Sequence, residues 1–590
     1  MIRILAAVGM AMALACPAGA QPHKPNFVVM LIDDAAFMDL GIYGGEARTP
    51  NIDALATGGA MFTHYYTSPL CSPSRAMLLT GMDNHLTGVA TIPEVLPKEH
   101  EGKPGYTMRF EPGVVTLATR LKAEGYRTLM TGKWHLGSGK GDLPDSHGFD
   151  RSFALDASGA DNWEDKSYMP YYADAPWYED GKATPLPENF YSSEFIVDRM
   201  MQYLDETPAD KPFLAYLAFQ AIHIPVQAPP EFTKRYAGVY DAGWDEVRKA
   251  RWEKAQALGF IPEGAPLAEM PERFRTWQSL TPDEQRLYAA RMQVNAAMLE
   301  AMDYHIGRLI GHLRETGQLA NTVFVLTSDN GPEPSRGDTD QRLAFWMKMN
   351  GYHTGLEGIG EKGSWGFIGP EWAMAAASPY DMFKFLGSEG GIRVPFIMAG
   401  AGIAAGQRHD ARAFVTDVAP TLLALAGAPL EYPGAKPITG RSLLPLLTGE
   451  ASAVRAPDEA IVIEVSGNAA VVKGDYKLTR NQRPHGDGLW RLYNLSRDPG
   501  EVTDLSADLP DVRADLLAEY AEYSARVGVL EVPEGYDSIA EVTRHTLARQ
   551  QAQYRPLIIG GGAAVLALVA VLILLLGRRK RRAQTGSEKA

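Results

Sequence analysis

Uninterrupted apolar runs, each closed by polar residues, set the pattern of this chain. Residues 26–32 end in Asp33-Asp34, residues 211–219 are followed by His223-Ile224-Pro225, and residues 322–326 lead into Thr327-Ser328-Asp329-Asn330-Gly331. Runs without polar alternation read as parallel strands covered on both faces. A shorter strand is predicted from Gly125-Tyr126-Arg127-Thr128 into the loop Gly132-Lys133-Trp134-His135-Leu136-Gly137. Between the strands, Thr281-Pro282-Asp283-Glu284 has capping-box form, and Met298, Met302, Ile306, Leu309 and Leu313 follow at helical spacing. The pattern predicts an α/β fold, a large mixed and mostly parallel sheet sandwiched by helices. Its ligands belong at the carboxyl ends of the strands.

Other stretches depart from this rhythm. Residues 230–281 form a polar insert, and 332–381 a long loop region whose Trp346, Trp365 and Trp372 either line a substrate mouth or pack on the loop itself. After 439–443 the composition is more broken, and 475–478, 492–495 and 498–501 read as strands and a turn. Residues 1–20 carry Arg3, an apolar run and Ala18-Gly19-Ala20, which reads as a signal peptide removed before Gln21. Residues 531–556 read as a polar stalk, 557–576 as an uncharged run of the ~20 residues that span a bilayer, and 577–590 as a tail with the basic cluster 578–582. That cluster predicts a cytoplasmic tail and an exported enzyme on the periplasmic or cell-surface side, anchored by one C-terminal transmembrane helix.

Composition adds two constraints. A formal net charge of −14 argues against a nucleic-acid partner, and a polyanionic substrate would need a local basic pocket. Of the 2 cysteines, Cys16 leaves with the signal peptide, so the exported chain keeps only Cys71 and forms no internal disulfide. A lipoprotein reading through Cys16 has a poor lipobox and ranks behind ordinary cleavage.

Cys71 lies in Leu70-Cys71-Ser72-Pro73-Ser74-Arg75, which leads to Thr80-Gly81. Ser72 reads as an N-cap, Pro73 as the first helical position and Gly81 as the stop. Cys71 then sits just ahead of a helix N-terminus, with Arg75 in the first turn, an arrangement suited to an anionic substrate. The adjacent carboxylates Asp33 and Asp34 repel unless a cation lies between them.

These residues resemble the signatures of the type I sulfatases of the alkaline phosphatase superfamily. The C-x-P-x-R element is Cys71 to Arg75, and the second signature matches 125–137. Further matches are Thr49-Pro50-Asn51-Ile52-Asp53, Ser328-Asp329-Asn330-Gly331 and Lys384 with Glu389-Gly390-Gly391-Ile392-Arg393-Val394-Pro395. Phe385 stands where the family usually has glycine, and 80–88, including His85, is similar to a bacterial arylsulfatase-like subgroup. The resemblance covers about 25–530 and implies a catalytic domain over 25–450 and an antiparallel-sheet subdomain with a helix over 451–530. It implies hydrolysis of a sulfate monoester, small-molecule or carbohydrate, by Cys71 oxidised to formylglycine through a maturation enzyme. Asp33, Asp34, Asp329, Asn330 and the modified Cys71 would hold Ca2+, with Mg2+ the less favoured ion. Arg75 and Lys133 would stabilise the nucleophile, Lys133, His223 and Lys384 would bind sulfate, Lys384 and His223 would protonate the leaving oxygen, and His135 would serve as base. Two alternatives stay open: phosphomonoester or phosphonate monoester hydrolysis, and a non-catalytic surface binding protein on the same scaffold.

Overall fold

A computed structural model of the protein describes residues 24–338, 341–553, 555, 568, 569, 571 and 573. Its main sheet has ten strands. In order they are Gln407–His409, Gly59–Phe62, Phe396–Gly400, Thr322–Ser328, Asn26–Ile32, Phe213–Ala218, Arg127–Lys133, Arg151–Leu155, Trp177–Glu179 and Lys182–Ala183. The apolar runs of the sequence are the parallel centre of this sheet. Asn26–Ile32 pairs with both Phe213–Ala218 and Thr322–Ser328, with Phe27 opposite Leu214 and Val323. Antiparallel pairing of Phe396–Gly400 with Thr322–Ser328 makes the sheet mixed.

The central strand is buried on both faces because successive side chains alternate between them. Val28, Met30 and Ile32 enter one core with the helices Pro282–Glu315 and Ser192–Asp205. Phe27, Val29 and Leu31 enter the other with the helices Cys71–Thr80, Leu117–Ala123 and Val418–Leu425. The capping box forms as expected: Thr281 accepts from Glu284 N–H, and Glu284 accepts from Thr281 N–H. The insert at 230–281 contributes the helix Trp244–Ala257, whose buried Arg251 pairs with Asp39 and Glu46. Two helices, Gln341–Met349 and Gly369–Ala377, occupy the region expected as a long loop.

The smaller antiparallel sheet joins Ile461–Val465, Asn468–Lys473, Tyr476–Arg480 and Trp490–Asn494, covered by the helix Pro510–Val527. His85 belongs to the joint between this unit and the main domain, not to the candidate site. Its ring nitrogens meet Glu464 at 2.7 Å and Asp83 at 3.3 Å, and Tyr523 donates to Asp83 at 2.7 Å beside the Tyr106 ring. Burial alone would lower the His85 pKa, but the hydrogen bonds to Asp83 and Glu464 carry it up to about 9, from 6.5. A proton held more tightly in the folded state stabilises it fully below pH 6.5 and ceases to do so as pH rises through about 9. His85→Gln is therefore expected to cost about 3 kcal/mol at pH 6, a difference that shrinks by pH 10. Urea denaturation of both proteins at the two pH values measures this, and a pH-independent difference would remove the charged histidine from the joint.

The C-terminal expectation needs correction. Among the described residues no helix is long and apolar enough to cross a membrane. This overturns the single transmembrane helix in the expected fold and the placement of the enzyme through it. The described helices near this end, Pro510–Val527 and 538–553, carry charged residues such as Arg513, Arg526, Arg544 and Arg549, where a span needs about 20 predominantly apolar ones. Residues 557–576, apart from 568, 569, 571 and 573, lie outside the described residues, as do the expected signal peptide and basic tail.

Candidate functional site

The carboxyl ends of the two central strands bring the acidic residues together. Asp33 and Asp34 follow Asn26–Ile32, while Asp329 and Asn330 follow Thr322–Ser328 on the neighbouring strand. Asp34 takes a left-handed backbone, φ 71°, and its N–H donates to Asp329 Oδ1 at 3.2 Å. That turn ties the pair to Asp329 at the end of the neighbouring strand. Asn330 Nδ2 donates to Asp34 Oδ1 at 2.7 Å.

The helix Cys71–Thr80 begins earlier than the sequence pattern suggested. Leu70 is its N-cap, with no side-chain bond, and Gly81 closes it in the left-handed conformation. Ser72 is not a cap, because its hydroxyl donates to the backbone carbonyl of His135 at 2.7 Å. Cys71 thus stands in the first turn, buried, with its helix tied to the loop that carries His135. Burial pushes the Cys71 thiol up to about 11 against the pull of Lys133 and Lys384. As a thiol it is protonated at neutral pH.

Three cations interleave with the acids. Arg75 donates from Nε and Nη2 to Asp329 Oδ2 at 3.0 and 2.7 Å, and from Nη1 to the Lys133 carbonyl. Lys133, at the end of Arg127–Lys133, donates to Asp33 Oδ2 at 2.7 Å. Lys384 pairs with Asp34 and with Glu333, both at 2.8 Å. Phe385 after it adopts φ 78°, the backbone a glycine would take, and its N–H is fixed by Pro69 O at 2.8 Å. The family's usual glycine is thus replaced without a change of backbone region, with the side chain in a conformation that is strained for a bulky residue.

Both histidines are held neutral. His135, φ 55°, has its pKa lowered well below 6.5 by burial and then by Lys133 and Arg75; neither ring nitrogen has a hydrogen-bond partner. His223 is lowered by burial, Lys133 and Lys384. Its Nδ1 lies 2.6 Å from the Ile224 carbonyl, which only a protonated Nδ1 can satisfy, so Nε2 presents a lone pair 3.9 Å from Asp34 Oδ2.

Whether a metal fits is decided by the oxygens left over. Asp33 Oδ1, Asp34 Oδ2 and Asn330 Oδ1 are buried without hydrogen-bond partners. Ligand atoms of Asp33, Cys71 and Asp329 lie within 4.8 Å of one another. Burial, only partly offset by Lys384, pushes Asp34 up to about 8, so the carboxylate lacks sufficient compensation from the protein alone. Orphaned oxygens converging from two strand ends suit a hard cation.

All ten residues expected from the sequence therefore meet in one place. Two acids were missed. Glu333 follows the Ser328-Asp329-Asn330-Gly331 turn; burial opposes its ionisation, yet Lys384 holds it down to about 2. Glu94 accepts from the Tyr172 hydroxyl at 2.5 Å and stands 4.0 Å from His135 Nε2. The first was signalled by its nearness to Asp329; the second lies in a loop with no periodic signal.

A cavity of about 410 Å3 opens over Cys71, His223 and Lys384 and takes in Glu94, Glu333, Trp346 and Trp365. Trp372 instead packs against Trp244 and Trp277, so the tryptophans of this region divide between the two uses.

Known proteins with this architecture agree on one family. The family model described as Sulfatase matches residues 25–428. An arylsulfatase of Klebsiella aerogenes is 37% identical over 452 residues, spanning 74% of this chain and 93% of its own. An uncharacterised sulfatase of Schizosaccharomyces pombe is 34% identical, spanning 88% and 97%. The solved PsFucS1 sulfatase from Pseudoalteromonas sp. shares the fold, with TM-score 0.57 at 22% identity over 86% of this chain and 92% of that one. With so much of its length matched, the chain belongs to the sulfatase family, as a type I sulfatase and an arylsulfatase-like sulfuric ester hydrolase.

Proposed function

We propose that Cys71, oxidised to formylglycine, and a divalent cation, Ca2+ before Mg2+, form the reacting centre for sulfate monoesters. The observation that carries this reading is the set of buried, unpartnered oxygens of Asp33, Asp34 and Asn330, with Cys71 beside Asp33 and Asp329. Asp33, Asp34, Asp329, Asn330 and the modified Cys71 would hold the ion. The cation, when bound, acidifies the attacking hydroxyl and polarises a sulfate oxygen. Formylglycine supplies, as its hydrate, the hydroxyl that attacks sulfur.

The chain's own side chains do the rest. Arg75 and Lys133 offset negative charge at the nucleophile, and Lys133 also reaches the sulfate. Lys384, a permanent donor between Asp34 and Glu333, binds a sulfate oxygen and supplies a proton toward the leaving oxygen. His223, with Nδ1 committed to a carbonyl, accepts at Nε2 and passes a proton to the leaving oxygen only once it has gained one. His135, neutral and unpartnered, takes a proton as sulfate departs. The balance is a monoester and water giving an alcohol or phenol, sulfate and a proton. The cations Arg75, Lys133 and Lys384 face four carboxylates, Asp33, Asp34, Asp329 and Glu333, and a divalent ion reverses that excess to one positive charge. One positive charge matches a sulfate monoanion better than a phosphate monoester dianion.

The mass of the tryptic peptide containing Cys71, with parallel assays on an aryl sulfate and an aryl phosphonate, tests the reading. An aldehyde mass and preference for the sulfate are expected. A wholly unmodified Cys71 in active enzyme overturns it.

A further inference from the structure

The segment expected as a stalk has an unexpected position. Residues 531–537 run back along the domain, and 538–553 form a helix. Tyr536 donates to Val95 O at 2.8 Å, the His545 ring nitrogen lies 2.7 Å from Leu96 O, and the Arg549 guanidinium lies 3.9 Å from the centre of the Tyr171 ring. These contacts leave one helical face turned to the catalytic cavity. Ile539, Val542, Thr543, Thr546, Leu547 and Gln550 all line it, at the i, i+3, i+4, i+7 spacing of a single stripe. No charged residue lies on that stripe. Leu343, Trp346 and Trp365 line the same cavity, as do Cys71, His223 and Lys384.

The charged groups of this cavity are engaged. Glu94 accepts from Tyr172, Glu333 holds Lys384, Arg336 is paired with Asp338 and Glu371, and Arg342 also has a partner. A sugar brings several hydroxyls that must exchange water for protein partners, and the Ile/Val/Leu/Trp walls of this cleft supply few. An apolar group gains from the same walls. Yet Ile539 and Leu547 are 58% and 39% exposed, so this apolar surface is left open over the reacting residues. A cleft of about 410 Å3 is of the size that encloses a single small molecule.

We infer that the helix 538–553 is a specificity-determining wall of the active site, which with Leu343, Trp346 and Trp365 grips the apolar phenol or alcohol portion of a hydrophobic sulfate monoester. This rests on the sulfatase reading of Cys71 and its neighbours and adds the class of the organic group. The wall selects through ground-state binding and touches none of the reacting atoms, so it acts on KM before kcat.

The test is a series of 4-alkylphenyl sulfates, from methyl to hexyl, whose leaving groups differ little in acidity, assayed with the full chain beside a monosaccharide sulfate. KM is expected to fall about twofold to fourfold per methylene over the first members while kcat changes little. The double variant Ile539→Glu/Leu547→Glu, both partly exposed and so tolerant of charge, is expected to flatten that dependence. Ile539→Leu/Leu547→Met should retain it, as should Ala548→Glu, which lies off the stripe. A flat wild-type series with good turnover, or a monosaccharide sulfate preferred over the hexyl ester, overturns the inference and leaves the sulfatase reading intact. Failure to hydrolyse any of these esters by protein whose Cys71 carries the aldehyde overturns the sulfatase reading, and the inference with it.

Discussion

Cys71→Ser is expected to fold normally and to lose multiple turnover by roughly 10^4-fold or more, the scale on which removal of a covalent nucleophile acts. The substitution is nearly isosteric at a buried position, so the melting temperature should stay close to that of the wild type. Serine retains one hydroxyl and could accept the sulfo group, but it has no second hydroxyl for His135 to deprotonate, and release of sulfate by that route is closed. A covalent sulfate ester on the introduced serine, seen as a mass increase after exposure to an aryl sulfate, is the expected trace. The wild type should resist alkylation, because its mature site carries an aldehyde, and should be blocked by hydroxylamines. An unoxidised Cys71 would make a poor nucleophile, since burial pushes its thiol up to about 11 and little thiolate exists at neutral pH. Full turnover by Cys71→Ser, or wild-type enzyme killed by alkylation of a free Cys71, would sink the proposed mechanism.

What the sequence disclosed follows from how each part is stabilised. The central strands were legible because a strand buried on both faces must be apolar at consecutive positions, as Phe27 to Ile32 are. The site acids were legible for a related reason, since polar residues directly after such a run have few places to go except the sheet's carboxyl edge. The start of the signature helix was not legible. Ser72-Pro73 has the form of a cap and first helical residue, but a tertiary acceptor, the His135 carbonyl, captured the hydroxyl. Glu94 and the cavity wall at 538–553 were hidden differently, in stretches whose partners lie far off in the chain, 78 residues away for Tyr172 on Glu94 and 441 for Val95 on Tyr536. Nothing local marks Tyr536 as a partner for Val95 O. The polar composition of 531–556 suggested a linker, although half of one helical face there is apolar.

Stripping the metal is expected to abolish activity and to lower the melting temperature, with added Ca2+ restoring both. Asp33 and Asp329 act electrostatically on Asp34 in one buried cluster, and the unpartnered oxygens of Asp33, Asp34 and Asn330 would gain a partner when a cation binds. An ion held at 1,000 times its Kd would stabilise the fold by about 4 kcal/mol. Chelation alone does not separate this site from a general salt effect, but Asp34→Asn does. That variant keeps the shape of the side chain, removes one buried negative charge from the cluster, and leaves Lys384 its ion pair with Glu333. In chelator above pH 8, where Asp34 is ionised, it should melt no lower than the wild type, because one of the repelling carboxylates is gone. In Ca2+ the wild type should rise and the variant should rise far less, with its activity lost. The expected signature is therefore a crossing: equal or greater stability for Asp34→Asn without the ion, lower stability with it. Thorough chelation that shifts neither melting temperature nor activity would remove the metal from the account, and a variant that responds to Ca2+ as fully as the wild type would move the ion away from Asp34.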